Sequence, residues 1–279
     1  MITGSSSGIG KASSMELARM GAKIVMVCRD RAKGEAARRE VIEKSGASEA
    51  DLELAFADLS SLDSVRSLAA DFLKSGRKLH VLVNNAGLIL GERLVTKEGL
   101  ETTFVVNYLS HFLLTNLLLG NLKSAAPSRV INITSDASRS AHIYFDDLQL
   151  EHGYGMAKAY GQSKLAQVLF TKELAKQLQG TGVTSNCVHP GAVATNWGRH
   201  SAGAMSLIVR LASPFMKSPQ KGAETVVYLA SSPEVADISG KYFANKKEKA
   251  TPPEGNDESS AQRLWKASLE LSGLTGSDS

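Results

Sequence analysis

Apolar positions along this chain follow two alternating rhythms. Short dense runs such as Ile24-Val25-Met26-Val27-Cys28 and Val130-Ile131-Asn132-Ile133 read as strands buried on both faces. Longer stretches place apolar residues three and four apart, as at Leu165, Val168, Leu169 and Leu174, and read as amphipathic helices. The pattern predicts strands near 23–28, 52–57, 79–83, 129–134, 183–188 and 240–243. It predicts helices near 8–20, 31–45, 61–75, 98–122, 159–179, 220–231 and 258–271. Strict alternation of the two implies an α/β fold, a doubly wound parallel sheet with helices on both faces, in one domain spanning 1–279. Segment 191–219 is less regular and is expected to form a substrate lid, and Thr251-Pro252-Pro253-Glu254-Gly255 a linker to the last helix. Only Met1, Ile2 and Thr3 precede the first glycine. A full strand needs about five or six residues there, so the first strand is expected to be largely missing.

Composition adds mainly exclusions. The 279 residues are 43% hydrophobic and 22% charged, ordinary for a globular domain. A net charge of +4 is too small and dispersed to point to nucleic acid. The cluster Lys246-Lys247-Glu248-Lys249 reads as a solvated loop. Cys28 and Cys187 lie apart in apolar runs, which argues against a metal site or disulfide framework and fits a reducing, cytoplasm-facing compartment. The apolar stretches near Val81–Val83 and Phe112–Leu119 fall short of the roughly 20 residues that span a bilayer. No signal peptide is expected within 1–279, and any anchor ahead of the first glycine loop would lie outside it, so membrane association stays open, as does oligomeric state. Asn132-Ile133-Thr134 matches a glycosylation pattern but falls in a buried strand.

Candidate chemistry centres on Tyr160 and Lys164, which open a helical pattern four residues apart and so share one face. A phenol with a pKa of about 10 exchanges protons poorly at neutral pH, and a neighbouring ammonium is expected to lower that value. Ser135, at the end of the strand run 129–134, can hydrogen-bond the same substrate oxygen. Tyr154 and Lys158 repeat the spacing, but Gly153 and Gly155 interrupt any helix there, so they are read as rim or loop. Near the N-terminus, Thr3-Gly4-Ser5-Ser6-Ser7-Gly8-Ile9-Gly10 is a glycine-rich turn leading into a helix, suited to a pyrophosphate. Its spacing is not that of an ATP-binding P-loop.

With these motifs the chain resembles a short-chain dehydrogenase/reductase over nearly its whole length, which implies a Rossmann-like sheet. The resemblance rests on Thr3 to Gly10, Asn84-Asn85-Ala86-Gly87, the set Asn107, Ser135, Tyr160 and Lys164, and Pro190-Gly191. It is most similar to the retinol dehydrogenase-like branch, through Cys28-Arg29-Asp30, Val188-His189-Pro190-Gly191 and Ser239-Gly240-Lys241-Tyr242-Phe243. The resemblance implies Asn107 as a helix-interrupting residue that supports a proton relay to Lys164; the residue-level alternative is a satisfied core amide. It also implies cofactor contacts at Gly4, Ser6, Ser7, Gly8, Ile9, Gly10, Asp58, Leu59, Asn85, Ala86, Gly87, Tyr160, Lys164, Pro190, Gly191 and Val193. Thr195 takes the nicotinamide-amide position, and Asp58 the adenine amine. In such a sheet strand one is central, so its shortness is expected to cost roughly five backbone hydrogen bonds at about 1 kcal/mol each. His111 and Phe112 are read as packing, and His189 as a packed strand residue.

Cofactor choice turns on the end of strand two, where an NAD site places a carboxylate. Cys28 stands there without charge, and Arg29 follows, able to clamp a 2′-phosphate with help from Lys33 and Ser6. The expectation is an NADP(H)-dependent oxidoreductase interconverting an apolar alcohol and its aldehyde or ketone, with retinoids or lipid-derived carbonyls implied by the resemblance. Trp197, Met205, Leu207, Ile208, Leu211, Phe215 and Met216 are the expected lid residues. A non-catalytic binding or scaffold member of the fold is the rival. An extended sugar-nucleotide epimerase or dehydratase is disfavoured by glycine spacing and chain length.

Overall fold

In the computed structural model, residues 1–191 and 217–274 are described. The buried apolar runs become β2 (Ile24–Cys28), β3 (Leu52–Phe56), β4 (Val81–Asn84), β5 (Ser128–Ile133), β6 (Val183–Val188) and β7 (Tyr242–Ala244). With β1 (Ile2–Thr3) and β8 (Lys247–Lys249) they form one sheet in the order β3-β2-β1-β4-β5-β6-β7-β8. All pairings are parallel except β7 with β8. The order reverses between β1 and β4, the crevice where doubly wound sheets bind ligands.

Helices α1 (Gly8–Arg19), α2 (Arg31–Ser45) and α8 (Pro219–Ser231) cover one face of the sheet. The other face carries α3 (Leu62–Lys74), α4 (Thr102–Phe104), α5 (Ser110–Leu117), α6 (Leu119–Ser124), α7 (Met156–Gln177) and α9 (Glu258–Ser272). Alternate strand residues feed the two layers: Val27, Leu82 and Val130 point to one, Met26, Val83 and Ile131 to the other.

Four expectations need correction. The helix expected at 98–122 starts at Thr102, because the buried Glu101 carboxylate caps it by accepting from Thr103 N (2.7 Å) and Phe104 N (2.6 Å). It then loosens into a π turn over Val105–Leu109. Pro219, expected in the lid, is the first residue of α8, where its missing N–H costs nothing; residues 192–216 of that lid lie outside the described ones. The Lys246–Lys249 loop is instead a hairpin return into β8. Asn245 (φ 52°) and Lys246 (φ 59°) form its two-residue left-handed turn, and the charged strand blunts the sheet edge. Finally, the short β1 costs less ladder than five bonds. Ile2 pairs with both Met26 and Val83, and Val83 N donates to Met1 O at 2.9 Å. Since β2 and β4 themselves begin at Ile24 and Val81, only the rung between those residues lacks a β1 partner.

Candidate functional site

At the reversal of strand order lies a cavity of 940 Å³, within the range of ligand sites. The loop between β1 and α1 forms its floor. Gly4 adopts φ 69°, and a Cβ there would fall 2.9 Å from Ala86 Cα. A Cβ on Gly10 would fall 2.5 Å from Gly4 O and 2.6 Å from Asn85 Nδ2, so this glycine serves loop closure and does not line the cavity. Ser7 caps α1 without a side-chain bond, leaving first-turn N–H groups unclaimed by it beside the cavity. Gly4, Ser6, Ser7, Gly8 and Ile9 all line the cavity.

The loop after β4 is stitched to this floor through Thr3. Its Oγ1 accepts from Asn85 N and Ala86 N, both at 2.9 Å, while Asn85 Nδ2 donates to Thr3 O at 2.7 Å. Asn85, Ala86 and Gly87 line the cavity as expected. His111 does more than pack: its Nε2 lies 3.0 Å from the same Thr3 hydroxyl, and burial pulls its pKa down to about 3, so the ring is neutral.

At one end of the cavity Cys28 is buried, with its thiol pushed up to about 11 by that burial. Asp30 also lines the cavity, and its Oδ1 caps α2 by accepting from Lys33 N at 2.8 Å. Arg29 and Lys33 line the cavity, and neither side chain is tied to another described residue by a hydrogen bond or ion pair. Lys11 differs, being held by Glu40 at 2.5 Å, with Lys44 on the other carboxylate oxygen at 2.9 Å. Asp58 and Leu59 also line the wall. Asp58 Oδ1 closes a turn with Ser60 N at 2.9 Å, while Ser61 caps α3.

At the other end stand Ser135, Tyr160 and Lys164. Ser135 and Tyr160 share a side-chain hydrogen bond. Lys164, only 4% exposed, donates to Ile133 O at 3.0 Å and sits 5.6 Å from the centre of the Tyr160 ring. The expected lowering of the phenol pKa is overturned: burial pushes Tyr160 up to about 12, with the Ser135 hydrogen bond acting against it. Burial likewise brings Lys164 down to about 8. Tyr154 lies before α7, donates to Leu90 O at 3.0 Å and does not line the cavity, while Lys158 stacks on Tyr144 at 4.1 Å.

Asn107 sits in the π turn, outside the cavity lining, with its amide satisfied. Oδ1 accepts from Leu88 N (2.7 Å), and Nδ2 donates to Leu88 O (2.9 Å) and Ser163 Oγ (3.0 Å). The satisfied-amide reading therefore describes its side chain, and its carbonyl accepts from Gln167 Nε2 at 2.6 Å. Pro190 and Gly191 line the cavity; Val193, Thr195 and the apolar lid residues lie outside the described residues. His189, expected only to pack in a strand, lines the cavity beside Asp136, which no motif singled out; their Nε2 and Oδ2 are 3.0 Å apart. A carboxylate next to Ser135 and a histidine before Pro190 were the available signals.

The family model described as short chain dehydrogenase matches residues 1–206. Human "Retinol dehydrogenase 14" is 45% identical, covering 98% of this chain and 86% of that protein. Human "Retinol dehydrogenase 13" is also 45% identical, covering 98% and 84%. A crystal structure of an uncharacterized protein from Mycobacterium Paratuberculosis is similar at a TM-score of 0.77 and 31% identity, covering 98% of this chain and 92% of that one. A short chain dehydrogenase from Burkholderia cenocepacia J2315, solved in complex with NADP, aligns at a TM-score of 0.68 and 25% identity, covering 87% and 93%.

Proposed function

The chain belongs to the short chain dehydrogenase family, and on that premise we propose that it is an NADP(H)-dependent oxidoreductase, one domain long, that reduces an apolar aldehyde or ketone to its alcohol and runs the reverse reaction. The observation that carries this reading is the meeting of Ser135, Tyr160 and Lys164 in the same cavity as the glycine loop.

The residues fit a dinucleotide. Unclaimed N–H groups at the start of α1 would hold a pyrophosphate. Arg29 would clamp the 2′-phosphate, with Lys33 and Ser6 beside it; Asp58 and Leu59 would flank the adenine. Asn85, Ala86, Gly87, Pro190 and Gly191 would border the nicotinamide half, with Val193 and Thr195 at its amide. The bound cofactor supplies the hydride.

Tyr160, protonated at neutral pH because its pKa is about 12, is in the form that gives a proton to a carbonyl oxygen. Ser135 donates a hydrogen bond to that oxygen. The Lys164 ammonium steadies the phenolate left behind and would hold the nicotinamide ribose. Asn107 braces the loop at Leu88 and the helix at Ser163, supporting proton return to Lys164. Leu88, Val106 and Ile133 give the cavity an apolar stretch, which favours an apolar substrate. The relatives' names make retinaldehyde the first one to try, followed by lipid-derived aldehydes. Buried Cys28 and Cys187, both unpaired, fit a reducing compartment.

The test is turnover of retinaldehyde, long-chain aldehydes and polar aldehydes with NADPH and with NADH, beside fluorescence titration of both cofactors. NADPH is expected to bind more tightly, with Arg29→Ala shrinking the gap by about 1–3 kcal/mol. Tighter NADH binding by the parent overturns the cofactor assignment, and no turnover of any aldehyde favours the non-catalytic binding member.

A further inference from the structure

His189 is a cavity residue that the reaction above leaves unused. The backbone ladder between β5 and β6 ends near Ile133 and Val188, with Thr134 N donating to Val188 O at 2.9 Å. A side chain makes the next link. Asp136 N donates to His189 Nδ1 at 3.2 Å, and the Asp136 carboxylate lies 3.0 Å from His189 Nε2. With Nδ1 accepting, the proton of the neutral ring sits on Nε2, beside the Asp136 carboxylate.

Asp136 opens a short helix, Asp136–Ser140, that Ser135 caps. Its N–H is one of the donors a helix start leaves without a partner, and the imidazole supplies that partner. The other carboxylate oxygen is held by Tyr242 OH at 3.3 Å and Arg139 Nε at 3.1 Å. The bond to His189 Nδ1 bears directly on the peptide joining Ser135 to Asp136, while the others hold the Asp136 side chain.

We propose that His189 is a positioning residue: by pinning the Ser135–Asp136 peptide to the end of β6, it holds the Ser135 hydroxyl where the substrate oxygen binds. The proposal rests on the reading of Ser135 as the residue that orients that oxygen. Misplacing a reacting group by about 1 Å costs on the order of 100-fold in rate, so a pin beside the hydroxyl is enough to matter.

Three substitutions separate the two ring nitrogens. His189→Asn keeps an acceptor near the Nδ1 position, His189→Gln keeps a donor near the Nε2 position, and His189→Phe keeps neither. The proposal expects kcat to fall about 10- to 100-fold in His189→Phe and His189→Gln, while His189→Asn stays within about threefold of the parent. NADPH affinity by fluorescence titration should change by less than about threefold in all of them. Ser135→Ala is measured alongside, together with the Ser135→Ala, His189→Gln double variant. Once the hydroxyl is gone, the second change should lower kcat no further. If Ser135→Ala keeps the parent's kcat, the role of Ser135 falls. If Ser135→Ala loses turnover but the Gln variant does not, or if Asn and Gln lose it equally, the positioning role is overturned. Should His189→Phe fail to fold, the Asn and Gln comparison decides.

Discussion

Lys164 carries an ammonium into the protein interior, 4% exposed, against the Ile133 carbonyl at 3.0 Å. Burial lowers its pKa from 10.5 to about 8. Between those values the unfolded chain holds a proton that the folded chain has lost, so this group makes stability rise with pH across the window. The full cost, about 3 kcal/mol by the conversion of pKa to free energy, is present below pH 8. Lys164→Met should therefore lose turnover yet match or exceed the parent in stability at pH 7. The parent should regain ground by pH 10, as read by urea unfolding at both values; a gap that does not change with pH would show that the ammonium is not desolvated. Tyr160→Phe removes only a hydroxyl and should cut turnover at least about 100-fold while sparing NADPH binding. Tyr154→Phe gives up one bond to Leu90 O and should keep its activity while losing about 0.5–1.5 kcal/mol of stability. Equal turnover in the Tyr160 variant and the parent refutes the assignment. The pair was legible from the helical periodicity after Tyr160. The direction of its pKa was not, because burial depends on elements distant in sequence.

Elements whose signal was packing came out close to expectation. β2, β5 and β6 begin and end within about one residue of the predicted spans because each is buried on both faces and reads as an unbroken apolar run. β8 was illegible for the opposite reason. Lys247-Glu248-Lys249 has no apolar residue, and its extended state comes from pairing with β7 across the Asn245-Lys246 turn. Such a turn needs left-handed backbone at both positions, which asparagine tolerates and lysine does not favour. Lys246→Gly should raise stability by about 0.5–1 kcal/mol, the backbone relief exceeding the loss of a solvent-exposed ion pair with Glu224 at 3.6 Å. Thermal unfolding of the variant checks this, and a lower melting temperature would mean that the ion pair outweighs the turn. The π turn that holds Asn107 was legible only through the family resemblance, since by periodicity Val105-Val106-Asn107-Tyr108-Leu109 reads as ordinary helix until Gln167 and His111 are brought to the Asn107 carbonyl.

At the scale of the whole molecule, β1 is where the two halves of the sheet meet. Ile2, 1% exposed, pairs with Met26 on one side and Val83 on the other, and it packs in the layer of α1, α2 and α8. Thr3 ties the same strand to the loop after β4, its hydroxyl accepting from Asn85 N and Ala86 N. Space left at Ile2 would loosen both halves at once. Ile2→Ala should cost about 2–5 kcal/mol, the range for a large-to-small change in a core. That is a large share of a typical stability of about 5–15 kcal/mol. NADPH should raise the unfolding midpoint of parent and variant alike, because its cavity lies at the same reversal of strand order. Urea unfolding with and without NADPH checks both, and a loss below about 1 kcal/mol would mean that the two halves hold together without the Ile2 side chain.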